Sequence, residues 1–193
     1  MNRTQQLIVF ALSYLGWFAC ILAGKHEIGA WVFLVPLLFF GVYSRFVKFT
    51  GTHLVVFLII AMIGISFDSI SLRLGWFQLS APYDGPLLPP WLLSLWLLFG
   101  CAIPLYDGWL RGRMWLAALM GSFVGPLSYR SGAAFGTVTF PDKFVFLYYG
   151  IFWACFFPSS FLLYEHLLRS RSKILKPAPR STDPHITDLH PPV

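Results

Sequence analysis

A chain of 193 residues with 57% apolar, 19% aromatic and only 11% charged residues is no ordinary soluble domain, since those carry about 25% charged residues. Its formal charge of +6 would suit nucleic acid, but the basic residues sit at the ends of apolar runs and in the tail. Topology signals belong there, and nucleic-acid binding is excluded.

A membrane-spanning helix takes about 20 largely apolar residues. Six runs qualify, at 6–23, 29–46, 53–75, 91–110, 114–132 and 144–166. They are continuous rather than alternating, which excludes a β-barrel. The sequence therefore predicts an all-α fold, a polytopic membrane protein built as a compact bundle of six transmembrane helices over residues 1–168. No internal repeat is evident.

The first run, "MNRTQQLIVFALSYLGWFAC", could pass for a secretory leader ending at Cys20. A leader needs small residues before its cleavage site, and Trp17 and Phe18 occupy that place, so the run is predicted to stay as a span. Cys20, Cys101 and Cys155 are isolated in apolar runs and have no metal-ligand spacing. Ten of the fourteen Lys and Arg fall on the side of the termini, five of them in the tail. That excess predicts both termini in the cytoplasm.

The third run holds Gly64, Asp68, Ser71 and Gly75 at steps of 4, 3 and 4, which puts them on one helical face. The connection "FQLSAPYDGPLLPP" (77–90) has four prolines and is stiff enough to cover a cavity. The fourth run brings Trp91 and Trp96, then Asp107 four residues before Arg111, the spacing of a helical ion pair. Glu165 and Arg169 repeat that spacing in the sixth.

The fifth run, with "GSFVGPLSYRSGAAFG" (121–136), carries Gly121, Gly125, Ser128, Gly132 and Gly136 at steps of 4, 3, 4 and 4. Small residues so spaced let another helix approach closely. The matching stripe of the third run is the expected partner. Pro126 removes one backbone hydrogen bond in the same stretch. Residues 169–193, basic and rich in proline, are predicted to form a disordered cytoplasmic tail.

Much chemistry is excluded. His26, His53, His166, His185 and His190 lie in loops, at helix ends or in the tail, so no histidine box or bis-histidine haem forms inside the bundle. Neither a zinc HExxH nor a phosphate-binding loop is present. No metal and no cofactor are predicted.

What remains is polar chemistry on one side. Asp68 lies about 22 Å up the third helix and Arg130 about 24 Å up the fifth, at 1.5 Å per residue. Ionisable residues at such depth face the bundle interior and pair. Arg130 therefore has two readings, an ion pair with Asp68 or a stem that snorkels to the outer headgroups. The predicted ligand-binding set is Asp68, Ser71, Trp91, Trp96, Ser128, Tyr129 and Arg130, with Tyr148 at similar depth. If the protein is an enzyme, Asp68 and Tyr129 are its candidate acid–base pair.

The stretches "GISFDSISLRLGWFQL", "PPWLLSLWLLFG" and "GSFVGPLSYRSGAAFG" together resemble a bacterial inner-membrane family catalogued as domain of unknown function 2878. The resemblance covers about residues 5–168. It implies a small or apolar residue at position 130, from which Arg130 departs, and no established activity. It also implies an association with lipid-modifying enzymes, hence with lipid metabolism or envelope stress. Three functions follow as expectations: binding of a membrane lipid or other amphiphile in an outward-facing polar cavity; a non-catalytic subunit or scaffold that docks a membrane protein through the fifth span; and a small transporter.

Overall fold

The computed structural model describes residues 1–174, except the side chains of 107, 108 and 169–174. The helices are α1 (Arg3–Lys25), α2 (Leu34–Ser44, after a 3-10 turn at Gly29–Phe33), α3 (Gly51–Arg73), α4 (Pro90–Leu110), α5 (Met114–Ala134) and α6 (Val145–Ile174). Two short strands, β1 (Gln78–Leu79) and β2 (Val138–Thr139), pair antiparallel. Among the described residues three helices, Arg3–Lys25, Gly51–Arg73 and Val145–Leu168, are long and apolar enough to cross a membrane. The apolar stretches Gly29–Ser44 and Pro90–Tyr106 are shorter. In α5 the glycines, serines and Arg130 dilute the apolar character of a helix of full length. Helix α6 runs to Ile174, so residues 169–174 are helical. The tail expectation for 175–193 lies outside the described residues.

Local chemistry sets the helix ends. Asn2 and Gln5 cap α1 reciprocally, each backbone N–H donating to the other's side chain at 2.9 Å. At the start of α3, His53 Nδ1 accepts the Thr50 N–H at 3.1 Å. Gly75 ends α3 and Gly136 ends α5, with φ of +70° and +78°, the left-handed region that glycine enters without a Cβ penalty. These two glycines therefore serve as helix stops and not as packing positions.

Helix α4 is the shared spine. It packs against α1 and α2 on one side and α3 on the other, while α5 lies along α6. One buried cluster joins α3, α4, α5 and α6, and a second joins α1, α2 and α4.

Residues from α3 to α6 form two alike hairpins, α3–β1–α4 and α5–β2–α6. Gly64, Asp68 and Gly75 precede Gly125, Tyr129 and Gly136 by the same 61 positions. A Cβ on Gly64 would meet the Trp96 ring of the following helix, and one on Gly125 would meet the Trp153 ring of its own following helix. Those indoles stack at 5.5 Å and 11°, and Phe99 and Phe156, three residues further on, stack at 6.0 Å and 29°. Within each hairpin the indole meets its phenyl ring edge-on, at 5.8 Å and 5.7 Å. Exchanging the hairpins maps each contact onto itself or its counterpart. An approximate two-fold axis therefore runs along the helices between Trp96 and Trp153, a parallel-repeat arrangement known among membrane proteins.

The expected meeting of the two small-residue faces does not occur. Two indoles intervene, because each notch admits the ring of the next helix in sequence. Gly121 abuts the Trp153 carbonyl and Phe157, so it too packs on α6. Gly132 lies against Thr137 and Val138 just after its own helix. Ser122, whose carbonyl Pro126 deprives of its helical donor, faces Gly150 of α6.

Candidate functional site

Between α1 and α5 lies a groove of about 510 Å³, within the range of roughly 300–1,000 Å³ of ligand sites. α1 holds to α4 and α5 to α6, so the two helices flank the opening without packing on each other. Phe10, Tyr14 and Phe18 of α1 and Val124 and Leu127 of α5 line it and are themselves exposed. The groove is therefore open sideways. Trp91 and Trp109, near opposite ends of α4, both line it, and their 18-residue separation corresponds to about 27 Å of helix. Phe18 reaches across one end to Phe135 at 5.9 Å.

The polar end is built around Asp68, only 1% exposed. Trp96 Nε1 donates to Asp68 Oδ2 at 2.6 Å, and Tyr129 Oη donates to Oδ1 at 2.7 Å. Asp68 and Tyr129 are the counterpart positions of the two hairpins, so the axis brings acid and phenol together. Ser128 lines the groove beside them, and its hydroxyl donates to the Gly125 carbonyl at 2.7 Å. Of the residues expected from the sequence, Asp68, Trp91, Trp96, Ser128 and Tyr129 line the groove. The rest of the lining is mainly apolar, apart from Ser13 and Tyr14 of α1 and Tyr106 of α4.

Ser71 and Arg130 lie elsewhere. Ser71 is fully buried and donates to the Phe67 carbonyl at 2.9 Å, outside the lining. Arg130 is exposed, with its guanidinium 5.8 Å from the Phe146 ring centroid. Neutral donors occupy both Asp68 oxygens, and the Asp68–Arg130 ion pair does not form. Tyr148 is exposed and stacks on Trp76 at 5.3 Å.

Two residues not singled out in the sequence complete the end. Trp153 lines the groove and is 8% exposed, with Nε1 buried and without a hydrogen-bond partner. Tyr149 is fully buried, stacks on Tyr129 at 4.3 Å and 6°, and leaves its hydroxyl unpaired. Their i, i+4 spacing on α6 and the opposing glycines at 121 and 125 were the available signals.

The proline-rich connection covers the polar end through its first residues. Phe77 is buried and lines the groove, and β1 is fastened to β2 with Ser80 N–H donating to the Thr137 carbonyl at 3.0 Å. At the opposite end of the bundle Arg111 Nε lies 3.4 Å from Glu165 Oε1. This pair joins partners drawn from two separate expected pairs. The side chains of Asp107 and Arg169 lie outside the described residues. Among the described residues no three His, Cys, Asp or Glu cluster closely enough to hold a metal.

No curated protein and no solved structure matches the chain. A family profile described as "Protein of unknown function (DUF2878)" matches residues 6–159, which takes in all of α3, α4 and α5, the groove and both counterpart positions at its polar end. The chain belongs to that family.

Proposed function

We propose that this is a six-span inner-membrane protein, both termini cytoplasmic, that binds a single-chain lipid or similar amphiphile in the groove between α1 and α5. The carrying observation is the shape of the groove: open sideways, apolar along most of its length, with its one buried acid, Asp68, at one end beside Tyr129. Its length of about 27 Å approaches the roughly 30 Å hydrocarbon thickness of a bilayer. An amphiphile chain lies along α4, and its head meets the polar end on the outer side. The association with lipid metabolism or envelope stress rests on this same reading.

Native mass spectrometry of the full chain after gentle extraction, with lipid identification, tests the proposal. A defined amphiphile bound to the native chain and absent from Val124→Trp, which fills the groove, is the expected result. Equal retention of that species by both chains, or no bound species in either, overturns it.

A further inference from the structure

The polar end of the groove has a direction in its hydrogen bonding. Ser128 gives its proton to the Gly125 carbonyl at 2.7 Å, and Ser131, also in the lining, gives its own to the Leu127 carbonyl at 2.9 Å. Tyr129 and Trp96 give theirs to Asp68. Trp153 Nε1 is a buried donor without a partner. At the Asp68 end the lining therefore offers mainly oxygens with lone pairs, the buried Asp68 carboxyl group at its base, the Tyr129 hydroxyl and two serine hydroxyls, beside the indole of Trp91. Among the described residues no Lys or Arg lines the groove. Arg130, the cation on the same turn of α5 as Tyr129, is spent on the face of Phe146.

We infer that the groove selects amphiphiles whose head group donates hydrogen bonds, a hydroxyl or an ammonium, and discriminates against an anionic head. This rests on the lipid-binding reading above and names the ligand class for it. A carboxylate or phosphate at this end would face a carboxyl group and hydroxyl lone pairs with nothing to compensate its charge. Its desolvation would go unreturned. A hydroxyl finds several acceptors, and an ammonium adds attraction to Asp68. An ester headed by phosphate could enter only with its phosphate left outside in the interface.

Five of the eight tryptophans, Trp17, Trp91, Trp96, Trp109 and Trp153, line the groove, and the exposed Trp31 and Trp115 outside it are replaced by Phe in every chain compared, so that quenching reports the groove. Bromoalkyl chains of matched length bearing a hydroxyl, an ammonium or a carboxylate are compared in nonionic micelles by quenching of tryptophan fluorescence in the full chain. Hydroxyl and ammonium probes are expected to quench at mole fractions about tenfold below the carboxylate probe. Asp68→Asn, which supplies a donor in the same shape, is expected to shrink that preference to about threefold or less. Tyr129→Phe keeps the acid and is expected to retain the ammonium preference.

A carboxylate probe that quenches as well as the hydroxyl probe overturns the head-group inference and leaves the groove reading intact. A preference unchanged in Asp68→Asn overturns the role given to Asp68. Absence of quenching by all three probes removes the groove reading, and the inference with it.

Discussion

Trp96 and Trp153 stack at 5.5 Å with their rings 11° from parallel, and each ring fills the notch left by a glycine on the preceding helix, Gly64 or Gly125. The pair thus does the work expected of a direct meeting between two small-residue faces. It also places both indole N–H groups beside the polar end of the groove, where only one finds an acceptor.

Enlarging either notch should loosen the centre of the fold. Gly125→Leu or Gly64→Leu drives a side chain into an indole that has no room to retreat, and overpacking of this kind costs about 1–3 kcal/mol. Gly41→Ala is the control, since a Cβ there meets nothing within 4 Å. Thermal unfolding in detergent should show a lower midpoint for the notch variants and an equal or slightly higher one for Gly41→Ala, which lies inside α2.

Removing a donor from Asp68 should weaken the fold without abolishing it. Tyr129→Phe deletes one hydrogen bond to the carboxyl group, worth about 0.5–3 kcal/mol, and Trp96→Phe deletes the other and also empties part of the Gly64 notch. Asp68→Ala should cost more than Tyr129→Phe, because it strands two buried donors at once. Stabilities of the three variants, measured side by side, check the order.

Arg130→Ala tests the separation of the cation from the site. A cation–π contact at an exposed position is worth about 0.5–1 kcal/mol, whereas breaking a buried ion pair costs about 3–5 kcal/mol. The substitution should therefore cost the smaller amount and leave quenching by the hydroxyl probe unchanged. A large loss on both measurements would restore the Asp68–Arg130 pair.

The two-fold relation predicts that acid and phenol are exchangeable. In Asp68→Tyr/Tyr129→Asp the acceptor moves to the other hairpin, where Trp153 Nε1 awaits a partner. The double variant should be more stable than either single variant, which leaves two acids or two phenols at the axis. Unfolding midpoints of the three chains decide this.

Phe18 and Phe135 bridge one end of the groove. Replacing both by Ala should raise the exchange rate of a bound bromoalkyl probe several-fold with less effect on equilibrium quenching, since ligand residence is set by the exit route as well as by contacts. Stopped-flow recovery of fluorescence measures it.

Helix extents were legible because continuous apolar runs and their breakers are local signals: Gly75 and Gly136 end α3 and α5 close to where the runs fade. Asp68, Trp96, Ser128 and Tyr129 were legible as a group because polar residues at depth must find one another. The pairing of faces was not legible. Steps of 4 and 3 say that a helix has a notch, and they are silent on which side chain enters it. Arg130 misleads for a related reason: equal depth on two helices does not fix the direction of a long side chain. The repeat escaped notice because Gly64, Gly75 and their counterparts are identities scattered among residues that have diverged, with Asp facing Tyr at the centre.

On the proposed lipid-binding reading, a groove that opens sideways into hydrocarbon is never vacant in a bilayer. Bulk acyl chains lie against its walls whenever a preferred molecule is absent, so association is an exchange of one chain for another. The apolar walls then contribute little to choice, because every competitor wets them equally. Discrimination falls to the few oxygens around Asp68, and strength of binding becomes a ratio of mole fractions set by the surrounding membrane.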